Sequence, residues 1–398
     1  MQEKACKVRE LVFVLVFFVA AYGCAAAKKP VADVDGAAEP FDGARLDRLL
    51  PTLIKEERVA GVGIAVIQNG ETVWTGYYGE QGPGAPASAQ TVFNTASVAK
   101  TITAETMIAL EAKGLIDFDE PIAPFVAQPD LAGDPRYQRL TSRLLMSHRA
   151  GLLNWPYEYE DGRLAFDHDP GARFSYSGAG VELAARYAEA KTGKTLDALA
   201  SEHVFDPIGV KEMAMGVIPV WADGRLATPM NAAGEYATIE ATNPSLAAGD
   251  ANSAADDLLA TVPAYAALIE AMIASDGLSE RSKAWRTTVL TSQEGDAVYN
   301  CPELQWLECP TAYGHGIGWQ VFHYEDHVVV FHSGSDAGEN AFVYWSPDTK
   351  NGAVIFVNGA NGWVVMTRII ELIDDEPLLA DYFLALIQVV MGRAVAPL

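Results

Sequence analysis

The stretch Asn94-Thr95-Ala96-Ser97-Val98-Ala99-Lys100 places a serine and a lysine three residues apart at the predicted start of a helix. Residues i and i+3 share one helix face, so the hydroxyl of Ser97 and the amine of Lys100 are expected to meet there. The positive end of the helix and its free N–H groups favour a developing oxyanion. An amine in a desolvated site can have its pKa lowered enough to act as a base. Because this spacing also arises by chance, its meaning depends on the rest of the chain.

Two further stretches supply groups that a serine nucleophile needs. Tyr176-Ser177-Gly178 follows the turn Asp169-Pro170-Gly171 and opens a predicted helix. A tyrosine beside a lysine and a helix terminus is expected to have a lowered phenol pKa and to relay protons to a leaving group. His332-Ser333-Gly334-Ser335 follows an apolar run on a predicted strand and would supply a backbone N–H, a hydroxyl and an imidazole. The three stretches together predict nucleophilic catalysis.

The remaining pattern predicts strands at both ends of the chain and helices between them. Asn69-Gly70 separates two apolar runs, and both residues tolerate positive φ, which indicates a hairpin. An amphipathic helix from Phe41 to about Arg58 precedes it. We expect strands at 62–67, 72–78, 318–322, 327–331, 340–345 and 353–357, helices at 97–113, 178–191, 194–202, 253–274 and 281–290, and helices again in the last ~35 residues.

This order of elements predicts an α+β fold. One antiparallel sheet is expected to form from both chain ends, flanked by helices, with a large and mainly helical insertion lobe at about 96–295. The catalytic cleft would lie between the sheet and the lobe.

The N-terminal residues predict export. The unbroken apolar run from Leu11 to Ala21 follows basic residues and has about the length of a signal core. Ala21-Tyr22-Gly23-Cys24 resembles a bacterial lipoprotein box, in which a small residue precedes a cysteine whose thiol would carry a diacylglyceryl group in the cleaved protein. Ordinary cleavage near 25–27 and an uncleaved membrane anchor are the alternatives. We expect a signal peptide at 1–23, a linker at 24–40 and a catalytic domain at 41–398 in the cell envelope, periplasmic or on the outer surface, lipid-anchored to the membrane.

The composition bears on partners and cofactors. With 28 basic and 52 acidic residues the net charge is −24, which disfavours nucleic acid as a partner. Cys301 and Cys309 are the cysteines left in the expected mature domain and would close a short loop in an oxidising compartment. Further zinc ligands do not accompany them, and no glycine-rich phosphate loop follows a strand. We therefore expect neither a metal nor a cofactor.

Six landmarks in chain order resemble the serine β-lactamase and penicillin-binding-protein family, in its branch of class C β-lactamases, D-alanyl-D-alanine carboxypeptidases, D-aminopeptidases and esterases. Besides the three stretches already described, they are LLMSHRAGL at 144–152, LAAGDANSAAD at 246–256 and YGHGIGW at 313–319. The resemblance runs from about Gly43 to Asn361. It implies a β-lactamase/transpeptidase-like fold and a serine hydrolase.

The resemblance also implies a role for each matching residue. Ser97 would be the acylated nucleophile, Lys100 its proton acceptor and Tyr176 the proton shuttle for the leaving group. The segment Ser333-Gly334-Ser335 would contact the substrate. The N–H groups of Ser97 and Ser335 would form the oxyanion hole.

Two positions depart from the β-lactamase pattern. Many relatives have asparagine where this chain has Gly178, and its amide contacts the acylamide of the substrate. His332 replaces the lysine of the β-lactamase third motif, as in many esterase-like and peptidase members. These departures favour an ester or a smaller acyl donor over penicillins. We further expect His148 to be a satisfied structural histidine, and His315 either to line the cleft or to accompany a tight backbone.

We therefore expect an exported serine hydrolase that cleaves an ester or amide in a small molecule or peptide. A true β-lactamase, a D-Ala-D-Ala carboxypeptidase and a non-catalytic member that binds cell-wall peptides or a partner protein remain as alternatives. The joint presence of Ser97, Lys100 and Tyr176 favours an enzyme, because a binding protein is under no chemical pressure to keep all three. The sequence predicts no particular oligomeric state.

Overall fold

The computed structural model describes residues 41–248, 254–275, 278–296 and 299–392. Its strands are β1 (Gly61–Gln68), β2 (Glu71–Gly82), β3 (Ala85–Pro86), β4 (Phe93–Asn94), β5 (Met213–Met215), β6 (Leu258–Ala260), β7 (Thr291–Ser292), β8 (Ala312–His315), β9 (Gln320–His323), β10 (Val328–Ser335), β11 (Asn340–Trp345) and β12 (Gly352–Asn358). Its α-helices are α1 (Ala44–Glu56), α2 (Ala99–Ala112), α3 (Ser142–Met146), α4 (Gly178–Thr192), α5 (Leu196–Ala200), α6 (Ile239–Thr242), α7 (Pro244–Ala248), α8 (Val262–Ala274), α9 (Glu280–Thr287), α10 (Gly362–Ile373) and α11 (Pro377–Met391). The expected signal peptide at 1–23, Cys24 and the linker at 24–40 lie outside the described residues.

The two ends of the chain build one antiparallel sheet. Its strand order is β3-β2-β1-β12-β11-β10-β9-β8-β7. The first strand pairs with the last from Gly61 opposite Asn358 to Ile67 opposite Gly352. The predicted α+β fold, with a sheet formed from both chain ends, is therefore confirmed.

The predicted hairpin at Asn69-Gly70 is also confirmed. Gln68 pairs with Glu71, which leaves two residues in the turn. Asn69 has φ 54° and Gly70 has φ 84°. A two-residue turn with positive φ at both positions matches the right-handed twist of the strands, and this is why asparagine and glycine are favoured there.

The sheet is covered on both faces. Val62, Ile64 and Val66 of β1 pack with the apolar faces of α1, α10 and α11. Ala65 and Ile67 of the same strand belong instead to the core formed with α2 and α8. Successive side chains of a strand point to opposite faces, so an almost wholly apolar β1 indicates burial on both sides.

The insertion lobe is mainly helical, as predicted, but it also contains a second sheet. This three-stranded sheet has the order β4-β6-β5. The expected helix at 253–274 is therefore wrong in its N-terminal part, because Leu258–Ala260 is the central strand and α8 begins at Val262. Thr261 caps α8 by accepting from the N–H of Ala264, and Pro263 occupies its first turn. Both features favour the start of a helix at this point. The short apolar run before them, Leu258–Ala260, is a fully buried strand.

Two further findings are a disulfide and the absence of a membrane-spanning helix among the described residues. A disulfide joins Cys301 and Cys309, whose Cα atoms are 6.0 Å apart, and closes the loop between β7 and β8. Within the described ranges, no helix is both long and apolar enough to cross a membrane.

Candidate active site

Ser97 and Lys100 lie together at the start of α2. Ser97 belongs to the 3-10 turn Ala96–Val98, whose first residue is a non-glycine residue with φ 46°. The Nζ of Lys100 donates to the Oγ of Ser97 at 2.8 Å and to the carbonyl oxygen of Ala255 at 2.8 Å. Positive φ costs free energy in a residue with a side chain, and such strain is common where a fold holds a reactive group. The predicted serine–lysine pair is thus in direct contact.

Burial favours the neutral form of the Lys100 amine. The side chain of Lys100 is fully buried, and this desolvation lowers its pKa to about 8. The carboxylates of Asp256 and Glu182 act in the opposite direction and keep the pKa from falling further. A lysine with a pKa near 8 supplies an appreciable fraction of free base close to neutral pH, which is what a general base requires.

Tyr176 faces the same serine, but its expected pKa shift is wrong. Its hydroxyl is hydrogen-bonded to Ser97, and the Nζ of Lys100 lies 5.0 Å from the centre of its ring. Burial raises the pKa of Tyr176 well above its usual value, because the loss of hydration outweighs the bond to Ser97. Tyr176 is therefore a neutral phenol in the resting site, and it can donate a proton to a leaving group but not store negative charge.

The segment Ser333-Gly334-Ser335 passes directly against the backbone at Ser97. A Cβ placed on Gly334 would lie 2.2 Å from the carbonyl oxygen of Thr95 and 3.0 Å from the backbone nitrogen of Ser97. Only glycine allows β10 to approach so closely. Ser335, which is exposed, comes next on the strand and pairs with Asn340.

His332 enters the site as a neutral imidazole. Its Nδ1 donates to the carbonyl oxygen of Ser333 at 2.7 Å, so its Nε2 carries a lone pair. Burial, with the charge of Lys100, lowers the pKa of His332 to about 3. The ring lies 6.4 Å from that of Tyr176. The lysine of the β-lactamase pattern is thus replaced by an uncharged hydrogen-bond acceptor.

There is no free space for a side chain at Gly178. Its N–H donates to the Oδ1 of Asn154 at 2.7 Å. A Cβ placed on Gly178 would lie 2.6 Å from Cζ2 of Trp155. The indole therefore occupies the space into which an asparagine side chain at position 178 would project.

Two buried histidines complete the wall behind Tyr176. The sequence predicted a satisfied structural histidine at position 148, and the structure bears this out for one ring nitrogen only. Its Nδ1 accepts from the N–H of Ser177 at 3.1 Å, while its Nε2 has no partner among the described residues. Its ring lies 4.3 Å from that of Tyr176. His315 stacks on Phe174 at 5.2 Å. Burial holds the pKa of both histidines well below the usual value, so they present neutral rings to Tyr176.

Asp256 is the site residue to which sequence reasoning gave no role. Its Oδ1 accepts from the Oγ of Ser97 at 3.4 Å. The adjacent residue, Ala255, accepts from Lys100 and donates its N–H to the Oε1 of Glu182 at 3.0 Å. The only sequence signal was the position of Asp256 at the end of the stretch 246–256.

The described residues offer no metal centre. No group of three or more histidine, cysteine or acidic side chains in that part of the chain is arranged to hold a metal ion. The groups that meet at Ser97 are a buried amine, a phenol and a carboxylate, and an imidazole lies close to the phenol.

Comparisons with known proteins agree with this geometry. The family model described as Beta-lactamase matches residues 46–375. Penicillin-binding protein 4 of Amycolatopsis lactamdurans is 24% identical over 341 residues, which cover 80% of this chain and 86% of the relative. Esterase EstB of Burkholderia gladioli is 27% identical over 199 residues, covering 42% of this chain and 50% of the esterase. The octameric penicillin-binding protein homologue from Pyrococcus abyssi superimposes with a TM-score of 0.68 at 18% identity, covering 88% of this chain and 82% of that structure.

Proposed function

The chain belongs to the beta-lactamase family and is a serine hydrolase of that family, and from this premise we propose that it is an exported enzyme that cleaves an ester or amide through an acyl-enzyme on Ser97. Lys100 acts as the base and Tyr176 as the proton shuttle. The observation that carries the proposal is the 2.8 Å contact between the Nζ of Lys100 and the Oγ of Ser97, in a setting that lowers the pKa of the amine.

The acylation step follows from these positions. Neutral Lys100 takes the proton of Ser97 as the Oγ attacks the carbonyl carbon, and the carbonyl oxygen becomes an oxyanion. The N–H groups of Ser97 and Ser335 are proposed to stabilise this oxyanion. The bond to the leaving group then breaks as Tyr176 donates its proton to the departing oxygen or nitrogen, and Lys100 returns a proton to Tyr176. Water hydrolyses the ester on Ser97 by the reverse sequence of proton transfers.

The residues of the site favour esters and amino-acid derivatives over β-lactams as substrates. A β-lactam needs partners for its side-chain amide and its carboxylate. Position 178 lacks an amide and is closed by Trp155, and His332 is uncharged where a lysine would bind a carboxylate. Both features remove attraction for a penicillin or cephalosporin.

Covalent labelling tests the proposed function. We expect a fluorophosphonate probe to add one adduct mass to the wild-type protein, and Ser97→Ala to lose the adduct while its thermal unfolding changes little, because a hydroxyl at a cleft contributes little packing. Tyr176→Phe serves as the matched control, since it keeps the nucleophile and should still be labelled. If neither a fluorophosphonate nor a fluorescent penicillin labels the wild type, the non-catalytic alternative replaces this proposal.

Export and anchoring are part of the same proposal. They are supported by the apolar run 11–21 and the lipoprotein-like box that ends at Cys24. The disulfide between Cys301 and Cys309 is also typical of an oxidising compartment.

A further inference from the structure

Glu339 is a buried acid on the segment that follows Ser335. It is the last residue of the four-residue turn 336–339 between β10 and β11, and it is 5% exposed. Its backbone carbonyl oxygen accepts from the N–H of Asp336 at 3.0 Å, which closes the turn directly after Ser335. The backbone of Glu339 therefore belongs to the segment that carries one of the two proposed oxyanion donors.

The side chain of Glu339 reaches the segment that carries the other donor. Its Oε1 accepts from the Nδ2 of Asn94 at 2.7 Å, although the two residues are 245 positions apart. The Oδ1 of Asn94 accepts in turn from the N–H of Ala96 at 3.4 Å. Ala96 immediately precedes Ser97, so this side-chain link ends at the peptide next to the nucleophile.

Ala96 is a residue whose conformation needs support. Its φ of 46° costs free energy in a residue with a Cβ, and such a conformation persists only where the surroundings hold it. The N–H of Ser97 belongs to the peptide that follows Ala96, so the dihedral angles of Ala96 set its direction. The bond from the N–H of Ala96 to Asn94 holds the other side of this strained residue.

Glu339 makes its bond to Asn94 as an uncharged acid near neutral pH. Burial, with the charge of Asp336, raises the pKa of Glu339 to about 8, while the bond to Asn94 acts in the opposite direction. The pair borders a small cavity whose other lining residues include Phe93 and Leu246. An amide of the same shape as the neutral acid keeps the oxygen acceptor, and this provides a conservative variant.

We propose that Glu339 is a positioning residue of the oxyanion hole. Through Asn94 it holds the N–H of Ser97 at a fixed distance from that of Ser335. This inference rests on the proposed function, because it concerns the same acyl-enzyme site. Two donors stabilise one oxyanion only when both point at it, and this arrangement must exist before the charge develops.

Two substitutions of similar size separate the hydrogen bond from the volume of the side chain. Glu339→Gln keeps an acceptor for Asn94 and should retain kcat/KM for p-nitrophenyl butyrate within about twofold. Glu339→Met fills the same space without that acceptor and should lower kcat/KM at least about tenfold. Asn94→Ala cuts the same link and should have a similar effect. The double variant Asn94→Ala/Glu339→Met should lose little more, because both changes remove one interaction.

Asn358→Ala is the matched control for a change in packing. Asn358 is buried, lines the same cavity and donates from its Nδ2 to the carbonyl oxygen of Thr228 at 2.7 Å. It takes no part in the link between Glu339 and Asn94. Asn358→Ala should therefore lower the Tm but leave kcat/KM within about twofold of the wild type.

The infrared stretching frequency of the acyl carbonyl provides a readout that a general loss of stability does not change. The two N–H donors polarise the carbonyl of an ester on Ser97 and so lower its frequency. With a carbonyl-labelled cinnamoyl ester as the acyl donor, Glu339→Gln and Asn358→Ala should show the wild-type frequency. Glu339→Met and Asn94→Ala should show a higher one.

The outcomes separate this inference from the proposed function. A folded Glu339→Met protein with wild-type kcat/KM and carbonyl frequency would overturn the inference and leave the serine mechanism intact. An equal loss of activity in Glu339→Gln or Asn358→Ala would also overturn it, because both keep an acceptor for Asn94. If Glu339→Met does not fold, Asn94→Ala decides. A wild type that shows neither ester hydrolysis nor fluorophosphonate labelling would overturn the proposed function, and the inference with it.

Discussion

The ring of Trp155 and the backbone of Gly178 exclude any other side chain between them, because a Cβ on the glycine would lie 2.6 Å from the indole. The loop 154–170 and the first turn of α4 therefore share one packed contact at the edge of the cleft. We expect substrate choice beside Gly178 to depend on both residues together.

The first prediction concerns β-lactams. We expect kcat/KM for p-nitrophenyl butyrate to exceed that for nitrocefin by at least about tenfold, or about 1.4 kcal/mol in transition-state binding. Gly178→Asn alone should destabilise the protein by about 1–3 kcal/mol through overpacking against Trp155 and should not raise nitrocefin turnover. The double variant Trp155→Ala/Gly178→Asn should narrow the gap, with Trp155→Ala alone as the control. A wild-type preference for nitrocefin over every ester would favour the β-lactamase alternative.

The second prediction concerns pH. The pKa of Lys100 is lowered to about 8, and in the proposed mechanism only the neutral amine accepts the proton of Ser97. The value of kcat/KM should therefore rise with pH and level off above about 8. The charge of Asp256 raises the pKa of Lys100. The variant Asp256→Asn should therefore move this rising limb of the pH profile of kcat/KM to lower pH.

Steady-state kinetics between pH 5.5 and 10 would measure this limb, and Glu325→Gln should keep the wild-type profile. A limb that moves upward in Asp256→Asn would contradict the assignment of Lys100 as the titrating base.

The third prediction concerns stability at the base of α11. The Nε2 of His327 is hydrogen-bonded to the Oε2 of Glu376 at 2.9 Å and its Nδ1 to the Oδ1 of Asp326 at 2.7 Å. The bond to Glu376, which is the largest contribution, helps raise the pKa of His327 to about 9. This pKa lies above the unfolded value of about 6.5, so the pair stabilises the fold fully below pH 6.5 and loses its effect as pH rises through about 9.

Urea unfolding at pH 6 and pH 10 would measure this contribution. We expect His327→Gln to cost roughly 2 kcal/mol at pH 6 and much less at pH 10. An equal loss at both pH values in His327→Gln would indicate packing rather than charge.

The fourth prediction concerns Cys24. If the thiol is lipidated, Cys24→Ser should release the protein from the membrane fraction, because stable anchoring needs two or more acyl chains. Fractionation followed by intact-mass measurement would detect both the release and the missing lipid. Retention of a Cys24→Ser protein with an intact N-terminus would support an uncleaved membrane anchor instead.

The contact between Ser97 and Lys100 and the outline of the sheet could be predicted because their signals are local. Ser97 and Lys100 are three residues apart, and the dipeptide Asn69-Gly70 is by itself enough to indicate the hairpin turn. The sequence order of strands and helices then sufficed for the α+β fold.

Other features depend on contacts between distant segments and could not be predicted. The contact of Asp256 with Ser97 joins positions far apart in sequence, and the tautomer of His332 is set by a backbone carbonyl. The pKa of Tyr176 was predicted in the wrong direction, because proximity to a lysine was visible in sequence while the burial of the ring was not.

The pairing of β1 with β12 constrains the order in which the protein can fold. Gly61 and Asn358 are partners although they are about 300 residues apart, and loop closure over such a distance must be offset by many contacts formed together. During synthesis the hairpin of β1 and β2 emerges early and has no neighbour on one edge until the last sheet strand appears. The candidate active site also forms late in folding, because Gly334 lies against Ser97 only when β10 is in place. Chains truncated before position 352 are therefore expected to lack both a closed sheet and hydrolytic activity.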